Sequence, residues 1–221
     1  MKLWPWMEAN VKRIGIGIGI AVVAAFLISY YFWEQNQKEI AASQALTQLI
    51  VSTPPNTNPS QLADSYLQIA TAHPGTLAAQ RALLQGAMEL FAAGQYADAQ
   101  AQFGKFLNAN PGGQFSSQAA LGVAASLEAQ NKTSLAVDAY QKVINGFSDP
   151  LAAIRAKFAL AGIYESQGKA SDALNFYEDV ARANQNNSLG SEAVLHAMEL
   201  RRKLPTASAA TTPSNSFNLS H

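Results

Sequence analysis

Hydrophobic residues are arranged in two different ways along this chain. From Ile14 to Trp33 there are 20 consecutive residues without a charge, and a helix of that length matches the roughly 30 Å hydrocarbon core of a bilayer. Because lipid offers no hydrogen-bond partners, the run must satisfy its backbone internally, and it predicts a transmembrane helix over residues 14–33. After Trp33, apolar residues recur every three or four positions among polar ones, which predicts amphipathic helices.

The segment 34–59 links the predicted membrane helix to the rest of the chain. Its Ile40, Leu46, Leu49 and Ile50 form an apolar stripe among Gln, Ser and Ala, which predicts that the helix continues outwards from the membrane. The stretch STPPNTNP then breaks the helix. We expect a juxtamembrane helix and loop, with the helix serving as the first helix of a degenerate first repeat.

The residues that flank the apolar run predict its orientation. Three cations precede it: Lys2, Lys12 and Arg13. Beyond it, Lys38 is the only cation before Arg81. The positive-inside rule therefore places residues 1–13 in the cytoplasm and everything after Glu34 across the membrane. A cleaved signal peptide is the competing interpretation, but its apolar part is usually about 7–15 residues and ends in small residues. Here aromatic residues end the run, as at a membrane–water interface, which favours an uncleaved anchor.

Glycines alternate with isoleucine near the start of the run, at Gly15, Gly17 and Gly19. They do not match a dinucleotide fingerprint, which needs glycines at i, i+2 and i+5, or a phosphate loop, which needs a following lysine. Gly15 and Gly19 instead form a small-xxx-small pair that would let a second membrane helix approach closely. They are therefore the candidate membrane helix contact and a possible basis for a homo-oligomer; lipid-facing glycines without a partner are the alternative.

Between the anchor and the C-terminal end, three stretches align without gaps at a spacing of 37 residues, beginning at Leu77, Gln114 and Leu151. The aligned columns contain small residues, turn formers and aromatics: Ala82, Ala119 and Ala156; Ala87, Ala124 and Ala161; Gly94, Asn131 and Gly168; Ala99, Ala136 and Ala173; Phe103, Tyr140 and Tyr177. Gly and Asn tolerate the left-handed conformation that ends a helix. The alanines allow two helices to approach closely, and the aromatics fill the space between them. Each unit is therefore predicted to be a helix–turn–helix hairpin.

The same period extends outwards in both directions. Stepping back 37 residues from Phe103 gives Tyr66, within a degenerate earlier unit. Stepping forward 37 from Ala156 gives Ala193, in an unpaired first helix that would cap the array. The predicted fold is thus all-α, with a single N-terminal transmembrane helix followed by a helical-hairpin solenoid over residues 60–204.

The column of Gly, Ala, aromatic and Pro resembles the tetratricopeptide repeat. Gly168, Ala173 and Tyr177 match that pattern best. The period of 37 instead of 34, the missing early tryptophan and Asn131 in place of a glycine are departures from it. The resemblance implies a fold that binds proteins or peptides through a concave surface lined mainly by the first helix of each hairpin.

The layout as a whole resembles the YfgM-type ancillary subunit of the SecYEG translocon. This resemblance implies a single-pass protein of a bacterial inner membrane, with periplasmic repeats that associate with the translocon and with chaperones. The expected function is therefore a membrane-anchored interaction scaffold, an accessory or chaperone-like factor at the export channel. Its partners would be translocon subunits or exported clients. A structural adaptor for envelope assembly or cell division, holding other envelope proteins, is the alternative.

By the tetratricopeptide register, the candidate partner-binding groove is formed by residues of the first helices. They are Arg81, Leu84, Met88, Phe91, Gln118, Leu121, Ala125, Glu128, Arg155, Phe158, Glu165 and Leu195. Four of them recur so regularly that they could equally belong to the core: Leu84, Leu121, Phe158 and Leu195. Glu128 and Glu165 occupy the same repeat position, and we expect them to face solvent or a peptide.

Composition argues against other functions. The formal net charge is zero, only 14% of residues are charged, and there is no basic run to attract nucleic acid. His196 with Glu192 and Glu199 is a weak metal signal on a solvated helix face, and no hydrolase, metalloprotease or phosphate-loop motif occurs. We therefore expect no enzyme activity, no metal and no cofactor. Residues 205–221, rich in Ser, Thr, Ala and Asn, are expected to form a disordered tail.

Overall fold

The structure, a computed structural model, describes residues 11–185 and 187–204. These ranges contain nine α-helices and no strand, as the all-α prediction required. The helices are α1 (Val11–Ser52), α2 (Pro59–Ala72), α3 (Leu77–Ala92), α4 (Tyr96–Ala109), α5 (Ser116–Ala129), α6 (Thr133–Gly146), α7 (Pro150–Ser166), α8 (Ala170–Ala183) and α9 (Ser188–Lys203). Most of the predicted cytoplasmic segment (residues 1–10) and the predicted tail (205–221) lie outside the described residues.

The first helix is long and apolar enough to cross a membrane. Within the candidate span Gly15–Ser52, an 18-residue window has a mean hydropathy of 2.0, and none of that window is buried by the described part of the chain. Phe26, for example, is 72% exposed. The helix continues without interruption to Ser52, so that about 19 residues of regular helix follow the apolar run after Trp33.

The chain divides into two compact units, Met1–Gln95 and Tyr96–His221. In the first unit, the C-terminal part of α1 packs on α2 and α3, and α2 packs closely on α3. Ala42 of α1 is fully buried there. The carboxylate of Glu39 accepts hydrogen bonds from the backbone N–H groups of Leu77 and Ala78, at 2.6 and 2.9 Å. A side chain of α1 therefore caps the N-terminus of α3, where unpaired N–H groups attract negative charge.

In the second unit, α4 to α9 pack one on the next in chain order, as in a helical-repeat solenoid. Two clusters of buried residues, one centred on Tyr140 and Leu160 and one on Tyr177 and Val180, form its core. Asp149 accepts hydrogen bonds from the first N–H groups of α7 and from the hydroxyl of Ser117, 2.7 Å away. The hydrogen bond from Ser117 is the largest cause that lowers the pKa of the Asp149 carboxyl.

The columns that the 37-residue period aligns are buried at each repeat. Ala82, Ala119, Ala156 and Ala193 have no exposed surface, and neither do Ala99, Ala136 and Ala173. The aromatic column is equally enclosed, with Phe103 3% exposed and Tyr140 and Tyr177 each 2% exposed. The alanine and aromatic positions therefore have the packing role that the sequence predicts for them.

The three predicted turns share one backbone geometry. Gly94, Asn131 and Gly168 have positive φ angles of 77°, 59° and 73°. In each turn the next residue donates its N–H to the carbonyl oxygen five residues earlier, as Lys169 does to Tyr164 at 2.9 Å. This hydrogen bond satisfies a carbonyl group at the end of the preceding helix. The turn prediction is confirmed, including the substitution of Asn131 for glycine.

Candidate protein-binding surface

In two successive hairpins of the second unit, a tyrosine of the second helix binds a glutamate of the first. Tyr140 donates its hydroxyl hydrogen to Glu128 Oε2 at 2.6 Å, and Tyr177 donates to Glu165 Oε2 at 3.0 Å. Burial of each ring, followed by the hydrogen bond to the glutamate, raises the pKa of both tyrosines well above the ordinary value of 10.0. The two hydrogen bonds join α5 to α6 and α7 to α8 near the turn of each hairpin.

Glu128 and Glu165 were predicted to face solvent or a peptide. Glu128 is exposed and Glu165 is half-buried, and each carboxylate also accepts a hydrogen bond from the tyrosine of its own hairpin. The signal for this pairing was present in the sequence, because glutamate and tyrosine recur together, 12 residues apart, in both repeats. At the corresponding positions one repeat earlier both residues are phenylalanine, Phe91 and Phe103, so the polar pair is replaced as a unit.

The same aromatic column also faces the helix that follows it. The ring of Phe103 lies so close to Gly122 of α5 that a Cβ added there would come within 2.6 Å of it. His196 lies nineteen residues after Tyr177, just as Gly122 lies nineteen residues after Phe103. The ring of His196 stacks on the ring of Tyr177, with centroids 4.7 Å apart and an 11° interplanar angle. The size of the residue that faces each aromatic ring, nineteen positions later in the chain, therefore determines how closely the helix of the next repeat packs on that ring.

His196 completes a cluster at the C-terminal end of the second unit. The ring of Phe158 meets the ring of Tyr177 edge to face at 5.5 Å and that of His196 at 6.3 Å. The Nδ1 atom of His196 lies 3.2 Å from Glu165 Oε2 without forming a directed hydrogen bond, so the contact is an ion pair only when the ring is protonated. Phe158, one of the predicted binding residues, is thus half-buried by packing within the fold.

The weak metal signal at His196 is not supported by the placement of its proposed partners. Glu199 pairs with Lys203 at 2.8 Å, which also lowers the pKa of its carboxyl, and His196 is directed to Glu165. Among the described residues, no group of three His, Asp or Glu side chains is placed to hold a metal ion.

The predicted binding residues of the first unit differ in exposure. Arg81 is exposed and Met88 is 39% exposed, while Phe91 is half-buried. Leu84, by contrast, is only 5% exposed. Of the two roles that the sequence left open for Leu84, its burial favours the core over the partner-binding groove.

In the second unit, the polar candidates Gln118, Glu128 and Arg155 are exposed, and Ala125 is half-buried. Leu121 packs against the core cluster around Tyr140 and is only partly accessible. Leu195, at the position equivalent to Leu84, Leu121 and Phe158, is 67% exposed. One and the same repeat position is therefore core at one end of the array and surface at the other.

Leu195 belongs to a larger apolar area on α9. Val194 is 37% exposed and Met198 61% exposed, and we call these three residues the terminal apolar patch. Ala161 and Ala124, which occupy the position of Met198 in earlier repeats, are completely buried. No further helix follows α9 in the described part of the chain, so the face that earlier repeats bury is open here. The tetratricopeptide register identified Leu195 but missed Val194 and Met198. Met198 takes the place of the buried alanines Ala124 and Ala161, so its repeat position indicated core instead of surface.

At the other end of the chain, the glycines predicted to contact a second helix lie in the apolar part of α1. A Cβ added at Gly15 or Gly19 would meet no atom within 4 Å. The described part of the chain therefore leaves that side of α1 unoccupied.

Residues 5–124 match the family profile described as a tetratricopeptide repeat-like domain. Because this match covers more than half of the 221 residues, the chain belongs to that family. The matched region includes the apolar helix α1 as well as the first repeats. Proteins with this fold are typically non-enzymatic scaffolds that bind proteins or peptides.

Solved structures of MamA have a similar fold. The structure titled "MamA RS-1 ArsTM double mutant" aligns with a TM-score of 0.51 at 16% identity, covering 75% of this chain and 96% of that chain. The structure titled "Crystal structure of MamA protein" aligns with a TM-score of 0.49 at 18% identity, covering 80% and 100% respectively. At these identities the first similarity shows the fold alone. Among curated proteins, no match to the chain is found.

Proposed function

We propose that this protein is a membrane-anchored scaffold that binds apolar segments of other proteins beside the protein-export channel, on the extracytoplasmic side of a bacterial inner membrane. The observation that carries the proposal is the terminal apolar patch. Leu195 and Met198 are mostly exposed on a helix whose equivalents in the other repeats are covered. Exposed apolar surface that a soluble fold does not bury marks an interaction site.

The anchor supports the cellular part of the proposal. The helix α1 has a span of sufficient length and hydropathy, and the cations Lys12 and Arg13 lie at its N-terminal end. By the positive-inside rule, that end remains in the cytoplasm and both helical units are exported. A protein held at this membrane surface meets extended chains as they leave the export channel, before their apolar segments are buried.

The chemistry of the patch indicates what kind of segment it would bind. Leucine and methionine side chains adapt to apolar partners of different shapes, and methionine in particular is flexible and polarizable. The basic last turn of α9, with Arg201, Arg202 and Lys203, lies next to the patch along the helix. Arg201 is paired with Glu178 at 2.7 Å. We therefore expect apolar segments with few cations to bind best.

Photocrosslinking in living cells tests this proposal. A photoreactive amino acid is placed at Leu195 or Met198 of the full chain, and at the exposed Lys142 on α6 as a control. We expect channel subunits or exported chains to be captured at Leu195 and Met198 but not at Lys142. Capture of envelope-assembly or cell-division proteins alone would replace the export role by the adaptor role. Equal labelling at all three positions would show that the patch is not a binding surface.

A further inference from the structure

The part of α1 that follows the apolar run has two opposite sides. Ala42 is fully buried and Leu49 is half-buried, and both face α2 and α3. At 100° per residue, the side opposite Ala42 carries residues 40, 44, 47 and 51. On that side Ile40 is 42% exposed and Val51 is 80% exposed. The helix thus has a second side, apolar at Ile40 and Val51, that its own unit does not cover.

This second side has the spacing of a helix–helix interface. Its residues, Ile40, Gln44, Thr47 and Val51, follow one another at alternating steps of four and three positions, as in the seam of a coiled coil. We call them the outer seam. All four line a shallow surface groove formed by α1 alone. Nothing else in the described part of the chain fills this groove.

None of the four residues of the outer seam is charged, and the one charged residue that borders its groove, Glu39, is engaged elsewhere. Glu34 and Lys38 pair with each other at 2.7 Å, and Glu39 caps α3. Since like charges that meet across an interface oppose association, an uncharged seam is compatible with an identical surface. Two uncharged polar residues, Gln44 and Thr47, lie at its centre, and polar residues at such positions fix register and helix number in coiled coils.

We propose that the outer seam is a homodimer interface, in which two copies of this chain pair through α1 in parallel. The inference rests on the proposed membrane anchoring. One anchor per chain gives every copy the same orientation and places the same residues at the same height above the membrane. The seam therefore meets itself, as a two-fold symmetric interface requires.

Pairing of two α1 helices requires the membrane-spanning part of α1, because the part after Trp33 is too short to form a stable coiled coil by itself. The helix after Trp33 provides less than three heptads, whereas a stable two-stranded coil usually shows three or four. Steps of seven residues from Ile40 back through Trp33 and Phe26 lead to Gly19, so the seam continues into the apolar run. The whole helix of 42 residues is about 63 Å long. Gly19 and Gly15, which have open space around them, would let the two helices approach closely within the membrane.

Disulfide crosslinking tests the interface, because the chain contains no cysteine. Single-cysteine variants Gln44→Cys and Thr47→Cys place a thiol on the seam. Lys38→Cys places one on an exposed position turned away from it. In native membranes treated with a mild oxidant, we expect a product of twice the 23.5 kDa chain mass, at least about tenfold more abundant at the two seam positions than at Lys38. Adding Val51→Arg to Gln44→Cys should reduce that product at least about tenfold, since two like charges would then meet at the interface.

Membrane sedimentation of the same samples separates this inference from the proposed function. A membrane-inserted protein without seam crosslinks, or with equal crosslinks at Lys38, would overturn the dimer and leave the anchoring intact. A crosslinked product of a different mass would assign the seam to another protein and also overturn the dimer. A chain that stays out of the membrane fraction would overturn both proposals.

Discussion

The Oε2 atom of Glu39 lies 2.6 Å from the backbone nitrogen of Leu77, the first residue of α3. The two residues are 38 positions apart in the chain, and the hydrogen bond ties the helix that carries the apolar span to the first helical unit. Because the carboxylate replaces water at an unpaired helix terminus, it stabilises both the start of α3 and the docking of α1.

Replacing Glu39 by Gln should therefore weaken the attachment of α1. The variant keeps the size of the side chain but removes its charge, and we expect a loss of about 1 kcal/mol in the stability of the first unit. Hydrogen exchange at the amides of Leu77 and Ala78, with the full chain in nanodiscs, measures the effect directly. Glu34→Gln is the matched control, because Glu34 makes only an exposed ion pair with Lys38, worth less than about 1 kcal/mol. Equal protection in both variants would contradict the capping role.

The paired tyrosines predict a particular response to alkaline pH. Burial and the hydrogen bonds to Glu128 and Glu165 raise the pKa of Tyr140 and Tyr177 in the folded state above the ordinary value of 10.0. Above pH 10 the unfolded chain loses these protons while the folded chain keeps them, so stability is full below that pH and falls as the pH rises further. The slope should approach about 1.4 kcal/mol per pH unit for each tyrosine.

The double variant with Tyr140→Phe and Tyr177→Phe separates this effect from other alkaline titrations. At pH 7 it should be less stable by about 1 kcal/mol for each hydrogen bond lost, but its stability should decline less steeply above pH 10. Denaturant unfolding measured at several pH values between 7 and 11 checks both parts. An unchanged slope would mean that the two hydroxyl groups are not protected in the folded state.

The close approach of Phe103 to Gly122 predicts opposite effects for two glycine substitutions. Gly122→Ala puts a methyl group within 2.6 Å of the ring, and the resulting overpacking should cost about 1–3 kcal/mol. Gly104→Ala, in α4 of the same unit, meets nothing within 4 Å and should stabilise the protein by up to about 1 kcal/mol through helix propensity. Thermal unfolding of the two variants checks the pair. Similar shifts in the same direction would show that the Phe103 ring moves aside without cost.

Much of this fold is readable from the sequence because each repeat imposes the same local requirements. The alanine and aromatic columns, and the turns at Gly94, Asn131 and Gly168, each follow from the steric needs of one hairpin. The 37-residue period repeats those needs at fixed positions. The long apolar run is equally local, since length and composition alone decide whether a helix could span a bilayer.

The functional surface is less predictable because exposure depends on what the neighbouring helix covers. Leu84 and Leu195 share one repeat position, yet Leu84 is buried and Leu195 is mostly exposed. The difference arises because no described helix follows α9. In the same way, the contact of Glu39 with Leu77 joins residues far apart in the chain. No local pattern signals it.

In the proposed function, the terminal apolar patch binds apolar segments of other proteins. The most direct test measures the affinity of the full chain, held in nanodiscs, for a fluorescent unfolded peptide rich in leucine and phenylalanine. Leu195→Glu should weaken binding at least about tenfold, because burying a leucine contributes about 1.5–3 kcal/mol, whereas Lys142→Glu on α6 should leave the affinity unchanged. Equal affinities for Leu195→Glu and the unaltered chain would contradict the claim.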